Sequence, residues 1–242
     1  DLPSDGLTAV ETDNPDAGLE LGLKGSIVVN DRMETSVPDI YAVGDAVQVK
    51  HYVTGQNTLL SLAGPANRQG RIAANNICGK DSRYPGSQGS SVIKVFDLTA
   101  ATTGINETNA RKAGLNVDKV ILSPMSHAGY YPGGMLMTMK VIFEKSTCRL
   151  LGAQIIGYEG VDKRIDVLAA AIHAGLTATR LKDLDLAYAP PYSSAKDPVN
   201  MAGFMIENIA NGLLKQFHLE QLSSLPTDGS ITLLDVRTTQ EY

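Results

Sequence analysis

The sequence predicts an α/β segment, then an α+β domain, then the opening of a further α/β unit that is cut short. Three observations carry that expectation. Up to about residue 80, short apolar runs are followed by a helix-spaced stretch that ends at a glycine. Residues 80–91 then gather Lys, Asp, Ser, Pro and Gly, the composition of a linker. Beyond them helices and strands no longer alternate regularly, which favours an antiparallel sheet with helices on one face. The expected units are residues 1–82, 92–216 and 222–242.

In the first unit, residues 14–21 have the cap and apolar spacing of a short helix, with Gly22 and Gly25 as stop signals. Residues 26–30 read as a strand. The run Ile40-Tyr41-Ala42-Val43 reads as a second strand, entered through Pro38 and of the kind a parallel sheet buries on both faces. A loop carrying His51, Tyr52 and Gly55 leads to a helix with Pro65 in its first turn, ending near Ile77 before Gly79. In the second unit, strands are expected over 93–98 and 119–123, a helix over 106–113, a hairpin of 135–144 with 150–158, and helices over 161–174 and 197–211. Residues 223–230 read as a linker and 231–237 as a buried strand. One strand cannot bury a core, so this unit is expected to be truncated.

Composition narrows the function. The chain has 242 residues, 43% hydrophobic and 19% charged, ordinary for a globular protein with a real core. A net charge of −5 carries no nucleic-acid footprint. No apolar run approaches a membrane span, and the N-terminus has no signal-peptide pattern. Cys78 and Cys148 are too few for a disulfide framework and read as structural thiols in a cytoplasmic setting. No metal site is expected. The chain starts on Asp1 rather than Met and reads as a piece of a longer protein.

Three stretches carry chemistry. Gly44-Asp45 follows the expected strand, where open α/β sheets bind ligands, although an Asp there can also simply cap the next helix. Leu62-Ala63-Gly64-Pro65 opens a helix whose free N–H groups and dipole favour an anion, or it is an ordinary helix start. Tyr188-Ala189-Pro190-Pro191-Tyr192-Ser193-Ser194-Ala195-Lys196-Asp197 is a stiff loop, structural or substrate-facing. Ser126-His127-Ala128-Gly129-Tyr130-Tyr131 adds a weaker loop motif.

Together these stretches resemble the flavoprotein pyridine nucleotide-disulfide oxidoreductases, closest to the coenzyme A-disulfide reductase and NADH-dependent persulfide reductase branch that carries a C-terminal rhodanese domain. The resemblance covers nearly all of residues 14–242. It implies that residues 1–82 are the end of an FAD-binding domain, 92–216 a dimerisation domain forming a homodimer, and Leu233-Leu234-Asp235-Val236-Arg237 the start of a rhodanese-like domain. By resemblance, Asp45 accepts bonds from ribityl hydroxyls, Gly44 allows the approach, and the N–H groups of Leu62 and Ala63 face the flavin pyrimidine. Tyr188, ranked first, and Tyr192 are implied catalytic residues acting across the dimer. His127, Tyr130 and Lys196 are implied substrate contacts, with coenzyme A phosphate the target of His127. The implied cofactors are FAD and NAD(P)H, with coenzyme A as substrate or ligand. The implied reaction reduces coenzyme A disulfide, persulfide or polysulfide through a cysteine outside this chain. The alternatives are an NADH oxidase or peroxidase of the same superfamily, and a dimerisation module inactive by itself.

Overall fold

The computed structural model describes residues 18–239. Residues 14–17 of the expected first helix therefore lie outside the described part, and residues 18–21 are not helical. Leu21 instead bridges Ile27 across a tight turn at Leu23–Gly25, where Gly22 N–H donates to the Ser26 carbonyl at 2.7 Å. The turn satisfies locally the backbone groups that a helix would have paired.

Strand β1 (Ile27–Val28) pairs in parallel with β2 (Val47–Lys50), which pairs antiparallel with β3 (Asn57–Thr58). Helix α1 (Ala63–Ile77) then packs over this small sheet, with Pro65 in its first turn as expected. Ile27, Met33, Val47, Val49, Ala73 and Tyr84 form the core of this unit.

The buried parallel strand is β2 and not the expected run at 40–43. There, Tyr41 makes only an isolated bridge to Glu34, and Ile40 and Val43 are each 38% exposed. The cause is local. Asp39 and Gly44 both adopt positive φ, 63° and 82°, which breaks the extended backbone on each side of a four-residue run. Residues 80–90 contain no helix or regular strand, yet they are fixed in place: Ser87 exchanges backbone hydrogen bonds with Lys50 and Tyr52 of the first unit, at 2.9 and 2.8 Å.

The second unit is a five-stranded antiparallel sheet in the order β4-β5-β8-β7-β6, comprising β4 (Ser91–Val95), β5 (Leu98–Gly104), β6 (Val117–Leu122), β7 (Thr138–Glu144) and β8 (Leu150–Gly157). The single strand expected over 93–98 is in fact a hairpin that reverses at Phe96-Asp97, with Phe96 at φ 52°. Strand β5 is not signalled by composition, because Thr99-Ala100-Ala101-Thr102-Thr103 offers no large apolar side chain.

Helix α2 (Glu107–Lys112) is capped by Asn106, whose side chain accepts from Asn109 N–H at 2.8 Å. Helix α3 (Val161–His173) lies against β5 and β8, and α4 (Pro198–Ala210) against β6 and the 3-10 stretch Ala178–Asp183. Val120, Val141, Ile142, Leu151, Leu168 and Ile206 are fully buried between them, each worth roughly 1.5–3 kcal/mol of transfer free energy. The other sheet face remains open and presents Ile93 and Ile156.

The two units share side chains. The tip of the β2–β3 hairpin places Val53 in the second unit's core, and Tyr52 stacks on His173 with ring centroids 5.2 Å apart. The Tyr52 hydroxyl donates to the His173 carbonyl at 2.9 Å, and Gln88 Nε2 donates to the Ala169 carbonyl at 3.1 Å.

Past α4, residues Leu219–Ser224 form a 3-10 turn tied to β6 by Glu220–Lys119 (2.6 Å) and His218–Asp118 (2.7 Å). No strand forms over the described part of the C-terminal run: Leu233, Leu234 and Val236 are exposed, and Asp235 pairs with Arg237 at 2.7 Å. Among the described residues, no strand lies beside these apolar side chains. Among the described residues, no helix is long and apolar enough to cross a membrane, and no cluster of His, Cys, Asp and Glu could hold a metal ion.

Glu107 joins α2 to the sheet. Burial pushes its carboxyl upward, but hydrogen bonds from Lys140 (2.5 Å), Lys119 (2.9 Å) and Arg111 (2.9 Å) outweigh that and hold it at about 2. The folded value lies below the unfolded one of 4.5, so the stabilisation is present above about pH 4.5 and disappears as pH falls toward about 2. Glu107→Gln should lower stability to urea at neutral pH by on the order of 2 kcal/mol, allowing for solvent screening. The gap to the parent should close on acidification through that window. A gap that stays constant down to about pH 2 would exclude this cluster as its source.

Candidate functional site

The first half of the site is a turn laid against a helix start. Gly44–Ala46 form one 3-10 turn at the entry to β2, and Gly44 N–H donates to Gln69 Oε1 of α1 at 2.7 Å. A side chain on Gly44 would make only ordinary contact with the Ala66 methyl group at 3.8 Å, so it is the left-handed backbone at φ 82° that favours glycine in this turn. Asp45 is thereby held exposed beside α1, ahead of a strand and not at the end of one.

At the helix start the residues are extended and then helical, from Leu62 (φ −135°, ψ 135°) into Ala63. Leu62 N–H already donates to the Leu60 carbonyl at 3.0 Å. Of the two donors expected here, Ala63 remains free among the described residues, and Gly64 supplies the second. Pro65 has no N–H to offer. Beside α1 stands an exposed carboxylate, and the positive end of the helix dipole carries two N–H groups with no partner among the described residues.

The second half is aromatic. The loop between β6 and β7 and the loop before α4 are pinned together by Ala128 N–H donating to the Ser193 carbonyl at 3.0 Å. Their tyrosines meet: the hydroxyls of Tyr130 and Tyr188 are 2.7 Å apart, although 58 positions separate them in sequence. Tyr130 is 76% exposed, so the pair lies at the surface. Its hydrogen bond, then partial desolvation, holds the Tyr188 phenol above its ordinary value. Tyr192 points into solvent and its phenol makes no hydrogen bond among the described residues. Lys196 is exposed. His127 is only 4% exposed, packed edge-on against Tyr131 at 5.6 Å, with Nδ1 3.1 Å from the Ala128 carbonyl.

Arg164 was not among the expected residues. Its guanidinium is buried at 1% exposure, and Nη2 lies 3.0 Å from Asp197 Oδ2. A signal was there to read, because Arg164 falls on the apolar stripe of α3 with Val161, Ile165 and Leu168. A cation on that stripe has to find a buried partner. Asp197, expected only as a helix start, is that partner as well as the α4 cap, accepting from Val199 N–H at 3.0 Å.

Comparison with known proteins places the chain. The family profile for the pyridine nucleotide-disulphide oxidoreductase matches residues 4–70. The profile for the pyridine nucleotide-disulphide oxidoreductase dimerisation domain matches residues 90–198. The chain belongs to the pyridine nucleotide-disulphide oxidoreductase family. Among particular relatives, the CoA-dependent NAD(P)H sulfur oxidoreductase of Pyrococcus furiosus is 40% identical over 182 residues, covering 75% of this chain and 41% of that protein. The reduced CoADR-RHD of Bacillus anthracis superposes with a TM-score of 0.87 at 48% identity, over 90% of this chain and 40% of that one. The NAD-dependent persulfide reductase of A. fulgidus gives 0.82 at 43% identity, over 86% and 38%. The chain therefore spans about two fifths of the length of the relatives it matches.

The family implies FAD and NAD(P)H as cofactors. The residues of the first half fit an FAD: an anionic acceptor suits hydroxyls, and the free N–H groups of Ala63 and Gly64 suit a ring edge that gains negative charge.

Proposed function

We propose that this chain is the flavin-facing and dimerisation part of an FAD-dependent enzyme that reduces coenzyme A disulfide, persulfide or polysulfide with NAD(P)H. The observation that carries the reading is the Tyr130–Tyr188 phenol pair, 2.7 Å apart at the surface of the dimerisation unit. In such a pair one hydroxyl satisfies the other and leaves one O–H to donate outward. A phenol, with an ordinary pKa near 10, is protonated at neutral pH and can donate to a sulfur anion without ionising. The names of the relatives, a sulfur oxidoreductase and a persulfide reductase, support a sulfur acceptor. Bound FAD supplies the two-electron relay between nicotinamide and sulfur.

In this reading Asp45, Ala63 and Gly64 hold the flavin, and the open sheet face with Ile93 and Ile156 receives a second copy of the chain. The phenols then serve the partner's site, with Lys196 and Tyr192 at its rim and His127 fixing the loop beneath. The reacting cysteine lies outside this chain. Cys78 is exposed at the end of α1, and Cys148 sits in the turn between β7 and β8. Residues 222–242 are read as the opening of a rhodanese-like unit, consistent with the uncovered Leu233, Leu234 and Val236.

Two substitutions test the halves separately. Ala63→Pro deletes one free N–H at a position where proline suits a helix start and where Leu62 is already extended. It should weaken FAD binding by about 1–3 kcal/mol with helix content unchanged. Flavin titration with an unaltered affinity would remove Ala63 from the site. In the longer protein that carries this sequence, Tyr188→Phe should slow turnover of coenzyme A disulfide by about tenfold or more while FAD stays bound. A protein that consumes only oxygen with NADH would replace the sulfur reading with an oxidase.

A further inference from the structure

The phenol pair is made by two loops that nothing covalent brings together, so something must set their register. Ala128 N–H to the Ser193 carbonyl is one link, at 3.0 Å. The rest converge on one side chain. Arg164 Nη2 donates to the Ser126 carbonyl at 2.9 Å, in the loop that carries Tyr130. The same nitrogen reaches the Tyr192 carbonyl at 3.3 Å and Ser193 Oγ at 3.2 Å, in the loop that carries Tyr188. Asp197 holds the guanidinium from the far side, at 3.2 Å from Nε and 3.0 Å from Nη2, while Ser193 Oγ donates to Asp197 Oδ2 at 2.6 Å. Nη1 donates to the Gly160 carbonyl at 3.1 Å.

We propose that Arg164, braced by Asp197 and Ser193, is a positioning residue for sulfur reduction, holding the two loops so that the hydroxyls of Tyr130 and Tyr188 meet. The inference rests on the sulfur-reductase reading above and adds to it the residue that assembles the pair. Replacing a buried ion pair with apolar residues is often neutral or stabilising, so stability alone does not account for one here. Neutralising Asp197 requires a cation, but it does not require a planar fork that also bonds carbonyls of both loops. Only arginine has that fork; lysine offers a point charge on a flexible stem. The surroundings are cut to fit. A Cβ on Gly160 would lie 2.0 Å from Arg164 Nη1, so the glycine leaves room for the guanidinium.

The test is a double-mutant cycle in the longer, FAD-loaded protein, combining Arg164→Lys with Tyr188→Phe and reading kcat for coenzyme A disulfide. Arg164→Lys alone should lower kcat about tenfold, since displacements of the order of 1 Å cost between that and a hundredfold. FAD content and KM for NAD(P)H should not change. In the Tyr188→Phe background the same substitution should cost almost nothing. Equal losses in both backgrounds mean that Arg164 acts on the fold and not through the pair, and overturn the proposal. If Tyr188→Phe is itself silent, the phenol reading fails first and the positioning role falls with it, a pattern distinct from additivity.

Should Arg164→Lys fail to fold, Ser193→Ala removes one brace with little change in volume, and the same cycle applies. A readout independent of turnover is phenol titration of this chain by ultraviolet absorbance, with Tyr188→Phe as the subtraction. Tyr188 should titrate above an ordinary tyrosine in the parent and return toward the ordinary value in either loop-loosening variant. An unmoved titration in both variants overturns the proposal.

Discussion

Gly152→Ala should leave the antiparallel sheet unable to close. A Cβ built at Gly152 would lie 2.1 Å from the Ile105 carbonyl oxygen, 2.7 Å from its nitrogen and 2.9 Å from its carbonyl carbon. All three are backbone atoms, so no rotamer change relieves the contact. The approach is tight because β5 leaves β8 there: Gly104 pairs with Gly152, and Ile105 N–H donates to the Leu151 carbonyl at 3.0 Å. Gly104 has the reciprocal need, since its own Cβ would fall 2.2 Å from the Leu151 carbonyl oxygen. Ordinary overpacking costs roughly 1–3 kcal/mol by shifting side chains. Here a strand must shift, and the loss should exceed about 4 kcal/mol. Urea unfolding followed by circular dichroism reads it directly. A variant with the parent's midpoint would mean that β5 and β8 do not approach so closely in solution.

Asp197→Ala carries the second large effect. It leaves the Arg164 guanidinium buried with no counter-charge, which costs about 3–5 kcal/mol. The α4 cap is lost as well, worth about 1 kcal/mol. Asp197→Asn separates the two, since an amide oxygen can still accept from Val199 N–H while the negative charge is gone. Thermal melts should therefore rank the parent above the Asn variant and the Asn variant above the Ala variant. Identical melting of Asn and Ala variants would assign the whole loss to the charge. Identical melting of Asn and parent would show that the ion pair contributes nothing.

Much of this architecture was legible because its signals are local. Helices α1, α3 and α4 announce themselves through Pro65, through the apolar spacing of Ile165, Leu168 and Ile172, and through the Asp197 cap. The long hairpin of β7 and β8 was equally plain. Strands failed where their identity depends on a partner. The apolar run at 40–43 has the composition of a buried strand and nothing to pair with for more than one bridge. The polar, small-residue β5 has two good partners, β4 and β8, and lies inside its sheet. The C-terminal run at 231–237 misled for the same reason as 40–43.

The site divides along similar lines. Gly44, Asp45 and Ala63 could be named from a contiguous pattern, whereas Leu62 could not be judged without knowing that its N–H turns back to Leu60. Tyr130 and Tyr188 were both named, each for its own loop. Their contact is not legible there, because it joins two loops 58 positions apart.

The β2–β3 hairpin tip gives the molecule a property that neither unit has by itself. With Val53 in the far core and Tyr52 stacked on His173, the first unit cannot melt without opening a gap in the second. A ligand that grips the turn at Asp45 and the start of α1 therefore raises the melting point of a sheet it never touches. At a hundredfold excess over its dissociation constant, that linkage amounts to about 2.7 kcal/mol. Ligand saturation at the first unit and the thermal endurance of the second unit's sheet thereby become one quantity.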